Sequence, residues 1–482
     1  MQKTKEERRA ILLDESRSPV RNIIWLAWPI FLENVLSTLV SYADTAMVGA
    51  LGAYATASVS ISNSVVFLFN GTILALGVGV TALISQSIGA QDYDLTKKLA
   101  RHAVLILLYL GLPIALLLGL GSRLIPLWMG AGPDIIDYAA RYNTIVAFGR
   151  PFAIASMLIF SAMRGCGDTK TPLRINIGVN IANVVGNFFL INPTRTVEIL
   201  GMNIKIIGAG WGVAGAAAAT AFSWFLGGGA ALLILFRKKS LPMCISIKDS
   251  FRMDFKVMGR ILKISIPAMV ERVCMSLAGV VIARSIASLG TVAIAANSVY
   301  VTAEGIAFMP GFAFASASTT LVGQSIGAKK MDLASRYMRS CVITAVIVMA
   351  VAGAGLFFFG KYIVRVFTPD PDVIALATVC LQIAALLQPA QTGAMVFAGG
   401  LRGAGDTLWP MIITASCMWV FRAGIGAILC IGVFGLGLPA AVWCMVADSY
   451  VRFFLFFLRT KTGKWKTVSL KKQELSEAKS EG

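Results

Sequence analysis

Apolar runs of about twenty residues recur along the whole chain, broken by short polar connections. Twelve can be drawn, at roughly 23–47, 55–87, 100–121, 135–160, 172–192, 209–236, 262–286, 296–325, 340–359, 372–398, 410–432 and 434–458. The runs are continuous and do not alternate, so they predict membrane-crossing helices and not the strands of a transmembrane barrel. The predicted fold is an all-α polytopic membrane protein of twelve transmembrane helices.

The pattern then repeats. The shift that carries Pro29 onto Pro267 also carries Glu33 onto Glu271 and Leu51-Gly52 onto Leu289-Gly290. It carries Gln86-Ser87-Ile88-Gly89-Ala90 onto Gln324-Ser325-Ile326-Gly327-Ala328. Arg164-Gly165-Cys166-Gly167-Asp168-Thr169 lands on Arg402-Gly403-Ala404-Gly405-Asp406-Thr407, and Arg150-Pro151 lands on Gln388-Pro389. One ungapped offset over this length is beyond chance. It divides the chain into an arm (1–22), a six-helix half (23–236), a linker (237–261), a second six-helix half (262–458) and a tail (459–482). Six helices is an even number, so the halves run in parallel about an axis along the membrane normal (6+6), an arrangement found in transporters. The linker is expected to carry a short amphipathic helix near Asp249–Asp254. The segment from Asn192 to Gly208 is an extra loop without a counterpart in the second half.

Charge supplies the orientation. Of the 43 Lys and Arg, 32 lie in or beside the alternate connections that share a side with both termini, and 6 lie on the other side. The positive-inside rule therefore predicts cytoplasmic termini and a multi-pass protein of the plasma (inner) membrane. The net charge of +19 would suit nucleic acid, but this distribution accounts for it and no nucleic-acid partner is expected. With 57% hydrophobic and 14% charged residues and a mean hydropathy of +0.76, a soluble domain is excluded. The eight Cys have no paired spacing, and His102 is the single histidine, so neither disulfides nor multi-His metal chemistry is expected.

Chemistry must then come from acids inside the apolar runs. An acid there costs on the order of 2.5–3.5 kcal/mol by insertion scales and usually faces the bundle interior. Glu33 and Asp44 are eleven residues apart, about three turns, and share a helix face. Pro29 removes a backbone hydrogen bond near Glu33. Asn176, Asn180, Asn183 and Asn187 form a single stripe on helix 5, either as amide glue between helices or as a polar wall. Glu271, the repeat mate of Glu33, and Glu304 and Asp448 are further membrane acids. Glu33 and Glu271 serve either as proton or substrate sites or as paired buried acids that fix their helices near Pro29 and Pro267, while Glu304 is a further possible proton or substrate site, and Glu304 and Asp448 have Arg284, Arg422 or Arg452 as possible structural partners. The two Arg-Gly-x-Gly-Asp-Thr stretches read as turns, with Gly supplying the backbone freedom and Asp-Thr starting the next helix. Gly210-Trp211-Gly212-Val213-Ala214-Gly215 fits G-x-G-x-x-G but opens a membrane helix, and no phosphate-binding loop for ATP is found.

Taken in order, these motifs resemble the multidrug and toxic compound extrusion (MATE) family of secondary transporters. They are Pro29-xxx-Glu33, Asp44-Thr45-xxx-Val48-Gly49-xx-Gly52, Gly89-Ala90, both Arg-Gly-x-Gly-Asp-Thr copies and Pro267-xxx-Glu271 with Ala287-Ser288-Leu289-Gly290-Thr291-Val292-Ala293. The resemblance covers residues 20–460. It implies export of lipophilic, often cationic compounds by alternating access, coupled to inward flow of sodium ions or protons. It also implies that Asp44, Asn183, Asn187 and Thr220, with Asn180 beside them, form the coupling site of the first half. Asp44, Asn183 and Asn187 would be metal ligands only under sodium coupling. One branch of the family has an acid where this chain has Asn187. No cofactor other than the coupling ion is expected, and the protein is expected to be a monomer in contact with membrane lipid. A lipid-linked saccharide flippase of the wider superfamily is the alternative, with a membrane-embedded enzyme or a channel further off.

Overall fold

The computed structural model describes residues 12–199, 202–246 and 248–468. Twelve of the described helices are long and apolar enough to cross a membrane. In the first half these are α1 (Pro19–Gly49), α2 (Ala53–Gly89), α3 (Tyr93–Leu120), α4 (Pro133–Gly165), α5 (Lys170–Ile191) and α6 (Val213–Arg237). The second half holds α7 (Phe255–Ala287), α8 (Thr291–Gly327), α9 (Met331–Phe367), α10 (Pro371–Gly403), α11 (Leu408–Val433) and α12 (Gly437–Lys461). The fold is the all-α, twelve-helix bundle that the apolar pattern predicts. Most helices outrun their apolar segments, because their ends continue with polar residues past the apolar stretch.

The repeat is visible in the turns. Gly52 and Gly290 take φ of 107° and 93°, Gly167 and Gly405 take 78° and 83°, and Gln91 and Lys329 take 62° and 59°. Each pair is related by the same offset that carries Pro29 onto Pro267. A non-glycine residue in this region costs roughly 1–2 kcal/mol, so Gln91 and Lys329 mark the same tight turn built twice.

Local differences have local causes. α7 starts at Phe255, ahead of the apolar run at 262, because the Asp254 carboxylate accepts from Lys256 N at 2.9 Å and Val257 N at 3.3 Å. The linker before it is a series of turns, and the expected surface helix is not found among its described residues. His102 on α3 ties this linker down: its Nε2 accepts from the Asp254 N–H at 3.1 Å and its Nδ1 lies 2.8 Å from Lys98 O. The extra loop of the first half is a hairpin of β1 (Pro193–Ile199) and β2 (Met202–Ala209), antiparallel with Thr196 opposite Lys205. α3 widens to π turns at Leu107–Gly111, just ahead of Pro113, whose missing N–H breaks the regular ladder. α11 is π-wound from Met418 to Val433. Residues 1–11 of the expected arm and 469–482 of the expected tail lie outside the described residues.

The core shows how the halves meet. On the face carrying both termini, apolar clusters are shared: Ile23, Leu26 and Ile30 of α1 pack among second-half residues such as Leu321, Phe397 and Leu401. In the reciprocal cluster Val257 and Ile261 of α7 pack among first-half residues such as Ile84 and Leu158. Ile23 and Ile261 are repeat mates and both fully buried. Toward the opposite face the clusters belong to one half each. The halves are thus joined at the terminal face and separate toward the other.

Backbones at the joint touch closely. A Cβ added at Gly89 would lie 2.0 Å from the Gln324 carbonyl oxygen, and one at Gly327 would lie 1.9 Å from that of Gln86. Gln86 Nε2 donates to Gly403 O at 2.7 Å, and its mate Gln324 donates to Gly165 O at 3.0 Å. The arm lies over this joint. Tyr337 Oη donates to Leu12 O at 2.6 Å and Lys330 to Leu13 O at 3.1 Å, while Leu12 rests beside Gly167 of the first half.

Candidate functional site: the membrane carboxylates

The buried acids fall into two groups. The first is paired with cations. Arg164 meets Glu33 at 2.7 Å, and Asn176 donates to the same carboxylate at 2.6 Å. Their repeat mates do likewise, with Arg402 meeting Glu271 at 2.6 Å through both carboxylate oxygens. Asp168 is approached by Lys238 at 3.5 Å, and Asp406 by Arg459 at 2.7 Å. Asp448 is held by Arg422 at 2.5 Å and by Arg452, one turn along α12. Glu33 and Glu271, for which the sequence leaves both a proton or substrate role and a structural one open, are partners of the arginines that open the two Gly-rich turns. The sequence pattern of those turns points to backbone roles. Asp168 does fill one, accepting from Thr171 N at 3.1 Å and Thr171 Oγ1 at 2.8 Å. The missed signal was that Glu and Arg share the same repeat offset.

The second group, Asp44 and Glu304, makes no ion pair among the described residues. Asp44 lies near the end of α1, facing α5, and is half-buried. Asn187 Nδ2 donates to its Oδ1 at 2.5 Å. The side-chain amide of Asn183 lies 2.8 Å from Asp44 Oδ1 and 3.2 Å from Oδ2. Its other end lies 3.4 Å from Thr220 Oγ1 on α6. The stripe on α5 is thus shared between two acids: Asn176 serves Glu33, and Asn183 and Asn187 serve Asp44. Asn180 lies between them and bonds to neither among the described residues, its Nδ2 buried without a partner.

The Asn183 amide can serve either charge state of Asp44. An ionised carboxylate only accepts, so Asn183 then turns its N–H toward Asp44 and takes the Thr220 hydroxyl on its oxygen. A protonated Asp44 donates to the Asn183 oxygen, and the amide N–H turns to Thr220. The oxygens of Asp44, Asn183, Asn187 and Thr220 are also the hard donors that a sodium ion prefers, and the Asn187 oxygen is buried without a partner. The donors of this set are of the kinds that a proton or a sodium ion would need.

A family model named MatE matches residues 29–189 and 267–428, two blocks that start at the repeat mates Pro29 and Pro267. Among curated proteins the chain is 29% identical to a probable multidrug resistance protein NorM of Thermotoga maritima, over 92% of this chain and 93% of that one. It is 27% identical to multidrug resistance protein PmpM of Pseudomonas aeruginosa, over 85% and 84%. Among solved structures it matches an outward-facing conformation of a multidrug resistance MATE transporter, with a TM-score of 0.85, 21% identity and coverage of 97% and 100%. It also matches a MATE in the bent conformation, with a TM-score of 0.84, 20% identity and coverage of 96% and 99%.

The protein is a multi-pass membrane transporter built of two six-helix repeats. It belongs to the MATE family, and membership of this transporter family sets the enzyme reading aside.

Proposed function

We propose that the protein is a cation-coupled antiporter that exports lipophilic, often cationic compounds across the plasma membrane. Its termini are cytoplasmic, as the distribution of Lys and Arg indicates, and it works as a monomer in contact with lipid. The one observation that carries the coupling is Asp44: an acid within a membrane helix that has amides for partners and no ion-paired cation among the described residues.

The reasoning is electrostatic. Among the described residues, Glu33 and Asp168, the other buried acids of the first half, are neutralised by Arg164 and Lys238, whereas Asp44 must be neutralised by something that comes and goes. A proton or sodium ion arriving from outside does this while the outer face is open. A cationic substrate competes for the same negative charge. Binding of one therefore favours release of the other, and coupling follows from their differential affinity for the two conformations. The interlocked terminal face supports an outward-open state; return requires the Gln86–Gly403 and Gln324–Gly165 bonds to open.

The test is efflux of a fluorescent lipophilic cation in everted membrane vesicles, with sodium and proton gradients imposed separately. Asp44→Asn should abolish gradient-driven transport while the protein is produced at wild-type level. Response to sodium alone makes Asp44, Asn183, Asn187 and Thr220 a metal site; response to protons alone makes Asp44 a titrating group. No response to either gradient in folded protein would contradict the proposal and favour a flippase of lipid-linked saccharides.

A further inference from the structure

Glu304 on α8 stands apart from every paired acid. It is 8% exposed. Its side-chain hydrogen bond is a long one, from Gln388 Nε2 on α10 to its Oε1 at 3.4 Å. The arginine on α11 that the sequence offered as its partner, Arg422, is committed to Asp448 at 2.5 Å, and Arg452 to the same acid. Among the described residues Glu304 makes no ion pair. Gln388 is 0% exposed, and its Oε1 is buried without a partner. One turn further along α10, Gln391 Oε1 and Thr392 Oγ1 are buried without partners as well.

An ionised carboxylate in this position has neither an ion-paired cation among the described residues nor strong donors, which makes it several kcal/mol more costly than a neutral acid. A protonated carboxyl does fit: its O–H finds an acceptor in the unpartnered Gln388 oxygen once the amide turns about its last bond, giving up only the long bond from Gln388 Nε2 to Ala384 O at 3.4 Å. The ionisable groups whose fields reach Glu304 are Tyr300, one turn earlier on α8, and Arg422 on α11. Cys380 on α10 neighbours Tyr300, and Asp448 and Arg452 on α12 stand behind Arg422. The pair is not a copy of anything in the first half. The repeat mate of Gln388 is Arg150 and that of Glu304 is Val66.

We propose that Glu304, with Gln388, is a second proton-binding site, lodged in the second half, which takes up and releases a proton as the transporter cycles. It rests on the transporter reading above. Only the carboxyl O–H bond breaks on release, and the proton passes to water when the second half opens. Gln388 positions the acid and acts through it. The second half thus holds its own carboxylate–amide pair, independent of Asp44.

Protonation can be read without transport. The full-length protein in lipid vesicles is titrated with pH while the C=O stretch of protonated carboxyls is followed by difference infrared spectroscopy. The expected result is a protonated-carboxyl band that survives in Asp44→Asn and is lost in Glu304→Gln. A spectrum unchanged by Glu304→Gln at every pH would overturn the proposal, whatever the vesicle transport assay gives. Gln388→Met keeps the bulk but removes the amide, and serves if Glu304→Gln does not fold. It should move the band and shift its titration midpoint at least threefold in proton concentration; an unmoved band and midpoint would contradict the site.

Discussion

Arg164 and Glu33 meet at 2.7 Å across the first half, linking the last turn of α4 to the middle of α1. Arg402 and Glu271 do the same in the second half. Glu33 and Glu271 are 5% and 6% exposed, so neither can fall back on water if its arginine is lost. Arg164→Ala should therefore destabilise the protein by about 3–5 kcal/mol, the cost of leaving a buried charge unpaired. Arg402→Ala should behave alike. Thermal unfolding of purified variants checks this: each single variant should melt well below wild type, and Arg164→Ala combined with Glu33→Gln should recover much of the loss. Equal melting temperatures for Arg164→Ala and wild type would show that the pair carries no stability.

The contact of α2 with α8 predicts a conformational effect. A methyl group at Gly89 or Gly327 would meet a carbonyl oxygen at 2.0 or 1.9 Å, and backbone cannot give way as a side-chain tip can. Gly89→Ala and Gly327→Ala should force the terminal face apart. In a background where the buried Cys166 is the one thiol, either change should raise its labelling rate with a membrane-impermeant maleimide at least tenfold. A rate equal to the parent's would mean the two helices do not seal that face.

Asp254 predicts a pH dependence outside the membrane. Burial alone would raise its pKa, but the N–H groups of Val257 and Lys256, with His102 and Lys98 nearby, hold it below its ordinary 3.8. A lowered folded pKa means that the cap contributes fully above the ordinary value and is lost as pH falls through the folded one. Hydrogen exchange at Lys256 and Val257 should show protection that persists at neutral pH and fades in acid. Asp254→Ala should remove it at all pH, with a loss of about 1 kcal/mol at the helix start. Protection unaffected by the substitution would show that the cap is idle.

The fold was largely legible because apolar length and the constant repeat offset are carried by many residues at once. Asn183 and Asn187 lie against Asp44, and Thr220 lies against Asn183, the grouping that the family resemblance implies. What the pattern could not supply was the neighbour across a helix interface. Periodicity places Glu33 on a face, but which of several arginines meets that face depends on how α4 and α1 cross. The same limit hid the division of the α5 asparagines between two acids. It also hid the separation of Glu304 from Asp448, which look alike in sequence and differ wholly in partners. The hairpin at 193–209 and the π winding of α11 lay beyond an apolar-run reading, since both depend on backbone pairing.

The central claim is exchange of substrate against a cation at Asp44, and it is tested most directly in vesicles holding the purified protein. A lipophilic cation is placed on one side with no ion gradient, and internal pH and sodium are followed by fluorescent indicators. Downhill movement of the compound should drive protons or sodium ions the opposite way in wild type, and should drive neither in Asp44→Asn. Movement of the compound with both indicators still in wild type, or ion movement undiminished in Asp44→Asn, would contradict the account.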